Sequence, residues 1–214
     1  MATALLERQK VDAQENRRPD AATSEEYPAE YHWTVDAFRK ASDAGAFGHE
    51  ARLELIQGRI FEIMGQGSEH STLASVIADM LREAAGKRFA VREEKPVQVA
   101  SDSQPIPDVM VLKGRQTDYK DHQPRPEEVV LIVEISVTTA DYDLGKKAAH
   151  YARAKIQEYW VVLESEAAIV RHRQPSPEGY GEVTRLAGDD TLSPLALPEA
   201  VWTVDELLGR TEAQ

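Results

Sequence analysis

The sequence predicts a mixed α/β fold, one sheet flanked by at least two helices, and three observations carry that expectation. Leu73, Val76, Ile77, Met80, Leu81 and Ala84 recur at spacings of three and four, the period of a helix with one buried face. Residues 108–112 (Asp-Val-Met-Val-Leu) and 129–135 (Val-Val-Leu-Ile-Val-Glu-Ile) are short apolar runs of the kind that form central strands. Segments of the two kinds are interspersed along the chain, as expected of helices packed on a single sheet.

The elements follow in order. Thr34 caps a helix carrying Val35, Ala37, Phe38 and Ala41, which should end by Gly45 or Gly48. Residues 53–56 and 59–64 flank Gln57-Gly58, where glycine supplies the positive φ of a tight hairpin. The periodic helix comes next, with Ser68 as its cap and Gly86 as its stop. Residues 89–91 and 97–99 alternate as strand material around a charged turn at 93–96. A polar, proline-containing connection over 113–128 separates the two central strands. A helix over 143–154, a strand over 158–163, a hairpin pairing 167–171 with 182–186, and a short helix at 205–208 complete the order.

With 214 residues, 42% of them apolar, the chain holds one sizeable core, which places a single domain at 31–214. Residues 1–30 mix charges of both signs with few large apolar side chains, so they are expected to form a mobile tail. They lack the cationic start and apolar middle of a secretory signal, which makes the cytoplasm the default location. The longest strongly apolar run, 129–133, is far too short for a membrane span. The absence of cysteine excludes a disulfide framework, a thiolate zinc site and a cysteine nucleophile. The net charge is −12, and −9 without the seven acidic and four basic residues of the first thirty. That balance argues against a broad electropositive face for nucleic acid.

Two carboxylates stand out by position. Asp108 opens its apolar run and Glu134 nearly closes the next. If the two strands are antiparallel neighbours, both carboxylates reach one rim of the sheet; the connection is also long enough for a crossover. A carboxylate at the end of so apolar a strand is costly to bury unpaired, so a bound cation is a sensible partner. Asp108, Glu134 and the backbone carbonyl of Ile135 suit a hard ion such as Mg²⁺ or Mn²⁺. Taken singly, an Asp after Pro and a Glu at a strand end are also ordinary turn and solvated residues. Asp143, Lys147 and Tyr151 stand four apart on a helix and share a face, a spacing that by itself reads as an exposed ion pair.

Residues 132–162, from Ile-Val-Glu-Ile-Ser-Val-Thr-Thr-Ala-Asp-Tyr-Asp-Leu-Gly-Lys-Lys to Glu-Tyr-Trp-Val-Val, resemble the signature of the Uma-type restriction endonuclease family, a bacterial branch of the PD-(D/E)XK nuclease superfamily. The likeness extends upstream to Glu54-Leu55-Ile56-Gln57-Gly58, to His70, and to Pro107-Asp108. It implies a restriction-endonuclease-like α/β core in which Asp108 and Glu134 bind a divalent ion and a lysine assists attack by water. The superfamily's usual lysine position, two residues after the glutamate, is Ser136 here. The family's Asp-x-x-x-Lys-x-x-x-Tyr falls instead on Asp143, Lys147 and Tyr151, which makes Lys147 the expected catalytic lysine. Lys146 points about 100° away around the helix, toward solvent or phosphate. Lys155 stands where the family often has glycine, and Glu158-Tyr159-Trp160 reads as strand and core.

The activity implied is that of a metal-dependent endodeoxyribonuclease, with DNA as partner and a homodimer as one way to bring two sites to two strands. Glu54 is either a third site carboxylate or a solvated hairpin residue. His70 is either at the site or a satisfied core histidine. Lys87-Arg88, Lys146-Lys147 and Arg171-His172-Arg173 are candidate phosphate contacts. Two rivals share the residues: a non-catalytic binding module of the same fold, and a hydrolase of another phosphoester.

Overall fold

Apolar runs buried on both faces need a layer on each side, and the computed structural model, which describes residues 30–48, 51–63 and 67–210, has that arrangement. The unit beginning at His32 carries all of the architecture below. The tail expected over 1–30 lies outside the described residues apart from Glu30, as does Met64 at the expected end of the second strand.

Helix α1 (Val35–Asp43) starts at Thr34, whose hydroxyl accepts from the Ala37 N–H at 3.2 Å. Its Val35 and Phe38 pack with Leu55 in a small cluster separate from the main core. Leu55 belongs to β1 (Leu53–Ile56), which pairs antiparallel with β2 (Arg59–Glu62). Gln57 (φ 50°) and Gly58 (φ 74°) both take the left-handed backbone of a two-residue hairpin turn. A Cβ at Gly58 would come within 2.8 Å of the His32 ring, so glycine is required there twice over.

Helix α2 (Ser68–Ala85) buries His70, Leu73, Ile77, Ala78 and Leu81 and ends at Gly86 (φ 55°). Its cap is Gly67 rather than the expected Ser68: Gly67 has the extended backbone and Ser68 is already helical. The early start puts His70 in the first turn.

One six-stranded sheet runs in the order β3 (Phe89–Glu93), β4 (Val109–Lys113), β5 (Val129–Ser136), β6 (Glu158–Leu163), β7 (Ala168–Ser176), β8 (Gly179–Ala187). All neighbours are antiparallel except β5 and β6, which are parallel. A parallel pair needs a crossover, and here it is helical: α3 (Ala140–Tyr142), a π-turn (Asp143–Lys147) and α4 (Ala148–Arg153). Alternate strand residues divide between the two cores. Val109, Val111, Leu131 and Val133 meet α2, while Met110, Leu112, Ile132 and Val161 meet Tyr151 of α4.

Three further expectations change. Residues 97–99 are no strand, although Val97 and Val99 are buried at 0% and 6% exposure. Their N–H groups go to Pro105, Pro124 and Ser103 carbonyls, and the prolines around them supply no donors for a regular ladder. The helix expected over 143–154 begins at Ala140 and contains the π-turn. There the Asp143 carbonyl accepts from Ala148, five residues on, and from the Tyr159 hydroxyl at 3.2 Å. The 167–171/182–186 pairing is a longer hairpin, β7 with β8. Residues 205–208 correspond to α5 (Val204–Leu207), opened by a capping box of Thr203 and Glu206. It follows the two-residue strand β10 (Trp202–Thr203), which pairs with β9 (Thr191–Leu192). No described helix is long and apolar enough to cross a membrane.

Candidate active site

The register of β4 against β5 brings the two carboxylates to one rim. Val109 pairs with Val133, so the next pair outward is Asp108 with Glu134. Glu134, paired with Val161 on its other side, shares the face that meets α4. Asp108 lies one residue before β4, and its Oδ2 accepts from the Ile135 N–H at 2.7 Å, a side-chain bond standing where the ladder has ended. Asp108 and Glu134 are 5% and 4% exposed, so both must be compensated within the protein.

The crossover helix supplies that compensation. The Lys147 ammonium donates to Glu134 Oε1 at 2.8 Å and stands 3.8 Å from Asp143 Oδ1. The Tyr151 hydroxyl donates to the same Glu134 Oε1 at 2.9 Å. Asp143 is held in turn by the Thr139 hydroxyl. Both donors to Glu134 reach Oε1, and Oε2 accepts no hydrogen bond among the described residues.

Burial, with the help of Asp108 and Asp143, pushes the Glu134 carboxyl above its ordinary value, and Lys147 pulls it back down. Burial alone would lower Lys147, but the carboxylates of Glu134, Glu54 and Asp143 outweigh it and hold the amine above its ordinary value. Lys147 therefore keeps its proton at neutral pH, and its charge favours the carboxylate form of Glu134 against the effect of burial. Burial and Glu134 raise Tyr151 well above its ordinary value, so it serves as a neutral donor.

The other expected residues converge on the same place. His70 Nε2 lies 3.1 Å from Asp108 Oδ2. Burial disfavours its charged ring, yet Asp108 and the Ile135 backbone outweigh that and raise its pKa. Glu54 is 8% exposed, accepts from the Ile106 N–H at 3.4 Å and lies within electrostatic reach of Lys147, so it is not the solvated hairpin residue. Ser136, at the superfamily's usual lysine position, is 2% exposed with its hydroxyl 3.3 Å from that of Thr139.

Lys146 is exposed, as are Lys87 and Arg88, although Arg88 pairs with Glu199. The triplet Arg171-His172-Arg173 is not a phosphate patch. Arg173 is bound to the fully buried Glu158, Arg171 to Glu182, and His172 is 3% exposed between Tyr159 and Tyr180. Arg173, His172 and Arg171 stand directly opposite Glu158, Tyr159 and Trp160 on the neighbouring strand, each sharing its partner's face. The sequence reading missed Thr139 and Tyr159 as supports of Asp143. Tyr159 shares the face of Val161, two residues on, and that period-two relation was the available signal.

No curated protein matches the chain. A solved structure described as a "putative nuclease belonging to DUF820 from Anabaena variabilis ATCC 29413" has the same fold, with a TM-score of 0.66 at 17% identity over 83% of this chain and 98% of that one. The family model Uma2, described as "Putative restriction endonuclease", matches residues 35–205, and the chain belongs to that family.

Proposed function

We propose that this protein is a divalent-metal-dependent endodeoxyribonuclease that hydrolyses DNA phosphodiester bonds at the rim where Asp108 and Glu134 meet. The observation carrying this reading is the buried Glu134 carboxyl, which takes Lys147 and Tyr151 on one oxygen and no hydrogen bond on the other. That second oxygen has no donor among the described residues, so a cation can compensate it, and the donor set fits a hard one. Asp108, Glu134 and the Ile135 carbonyl would hold Mg²⁺ or Mn²⁺. Among the described residues no group of three or more His, Cys, Asp or Glu side chains is arranged to hold an ion. Water and substrate oxygens would therefore fill the remaining positions, as is usual for magnesium.

When bound, the ion supplies Lewis acidity at the scissile phosphate and lowers the pKa of the attacking water. The chain's own residues do the rest. Lys147 brings a fixed positive charge to where the phosphoryl oxygens gain negative charge. Tyr151 fixes the rotamer of Glu134, Asp143 steadies Lys147, and His70 holds Asp108 from the first turn of α2. Glu54 adds a third negative charge that keeps Lys147 protonated.

The net charge of −12 favours one second reading, hydrolysis of a small phosphoester rather than a polyanion. The test is incubation with single-stranded, duplex and supercoiled DNA and with a small phosphodiester, each with Mg²⁺ or Mn²⁺, beside Asp108→Ala and Lys147→Ala. DNA cleavage lost in both variants supports the reading. Activity unchanged in both removes the site. Turnover of the small ester alone supports the second reading, and a protein that binds no ion and cleaves nothing is a binding module.

A further inference from the structure

We infer that Phe61 stacks on an unpaired nucleobase beside the scissile phosphate, making this a site for single-stranded or locally unpaired DNA. The inference rests on the phosphodiesterase reading above and specifies its substrate. In the β1–β2 hairpin Glu54 pairs with Phe61, and residues directly opposite in an antiparallel pair share a face. The other face, with Leu53, Leu55 and Ile60, packs on α1. The Glu54 face is turned to the site, because its carboxylate accepts from the Ile106 N–H at 3.4 Å, two residues before Asp108, and Leu55 beside it bridges to Gln104. Glu54 is 8% exposed, whereas Phe61 across the strand is 41% exposed.

A single exposed apolar residue is ordinary. The pattern here is less so. Among the described residues six large apolar side chains are exposed, and two, Phe61 and Val137, belong to segments that carry site carboxylates. Phe61 faces Glu54 across the hairpin, and Val137 follows Glu134 by three residues. The acidic balance of the chain leaves little affinity to phosphate contacts, so base stacking, which does not depend on charge, would have to supply it. A base within a duplex is already stacked on both sides, which leaves an unpaired base as the partner a lone ring can take.

The test is fluorescence anisotropy with a labelled single-stranded oligonucleotide, its duplex, and a strand made of abasic sites throughout, with Ca²⁺ in place of Mg²⁺, across a salt series. Phe61→Ala should weaken binding to the single strand about tenfold with an unchanged salt slope, and Phe61→Trp should retain it. Binding to the duplex and the abasic strand should be the same for wild type and Phe61→Ala. Three results would each overturn the inference: equal binding of the single strand by wild type and Phe61→Ala, an equal loss on the abasic strand, or no binding of single strands by the wild type. The two readings fail separately. Base-dependent binding through Phe61 in a protein that cleaves no DNA removes the nuclease reading alone, and Asp108-dependent cleavage with no Phe61 effect removes this one alone.

Discussion

Lys147 and Glu134 form an ion pair of 2.8 Å, with side chains 11% and 5% exposed. It joins a strand end to a crossover helix, so the pair fixes the site and the packing of that helix together. Burial of this kind also makes the pair vulnerable to loss of one partner, because the survivor is left desolvated.

Lys147→Met should therefore abolish cleavage, a loss of at least about a hundredfold, and destabilise the fold by about 3–5 kcal/mol. The double variant Lys147→Met/Glu134→Leu should recover much of the stability and none of the activity. Urea melts and cleavage rates on the same preparations check both.

Tyr151→Phe removes only the hydroxyl that donates to Glu134 Oε1. A hydrogen bond to a charged group is worth about 1.5–3 kcal/mol, and that is the expected loss of stability. The turnover number should fall by less than in Lys147→Met, since Tyr151 acts through Glu134. Single-turnover rates at saturating Mg²⁺ separate the two.

Chelation should stop cleavage, and Mg²⁺ at about a hundred times its dissociation constant should stabilise the protein by about 2.7 kcal/mol. Asp108→Asn and Glu134→Gln should each remove that stabilisation. Thermal midpoints with and without the ion read this independently of any substrate.

Burial holds the His172 pKa below its ordinary 6.5, and its Nδ1 has no hydrogen-bond partner. The unfolded chain takes a proton near 6.5 that the folded chain resists, so this residue's contribution to stability is present above that pH and is lost as pH falls below it. His150 acts in the same direction, while His70, held above its ordinary value, acts in the opposite one. His172→Phe should flatten the acid side of the stability profile and add about 1 kcal/mol by removing an unpaired polar group. Denaturation between pH 5 and 7.5 measures it.

Glu158 is fully buried, its Oε1 accepting from Arg173 at 2.6 and 2.8 Å and from the Trp160 indole at 3.0 Å. Its Oε2 accepts from the Leu195 N–H at 2.6 Å. Glu158→Ala strands the Arg173 charge and should cost about 3–5 kcal/mol. Activity per folded molecule should hold, as active-site titration with a metal-dependent substrate would report.

Much of this was legible in local patterns. The 73–84 periodicity gave α2, the branched aliphatic runs gave β4 and β5, and their antiparallel pairing put Asp108 opposite Glu134. Residues 97–99 misled because alternation reports burial, while ladder formation depends on partners that the surrounding prolines could not provide. The spacing of Asp143, Lys147 and Tyr151 was readable, but an ion pair exposed on a helix and one buried against a sheet have the same spacing.

By itself, then, the sequence determined which segments bury which face, because helix and strand periodicities are properties of neighbouring residues. It also determined, through likeness to a family, which lysine to watch. Only the tertiary structure decided that Lys147 and Tyr151 meet on one oxygen of Glu134, that His70 reaches Asp108, and that Arg173 serves Glu158 instead of a phosphate. Those contacts join residues 13 to 38 positions apart in the chain, and they depend on sheet register and on the turn of the crossover helix. Neither is encoded in any short stretch of residues.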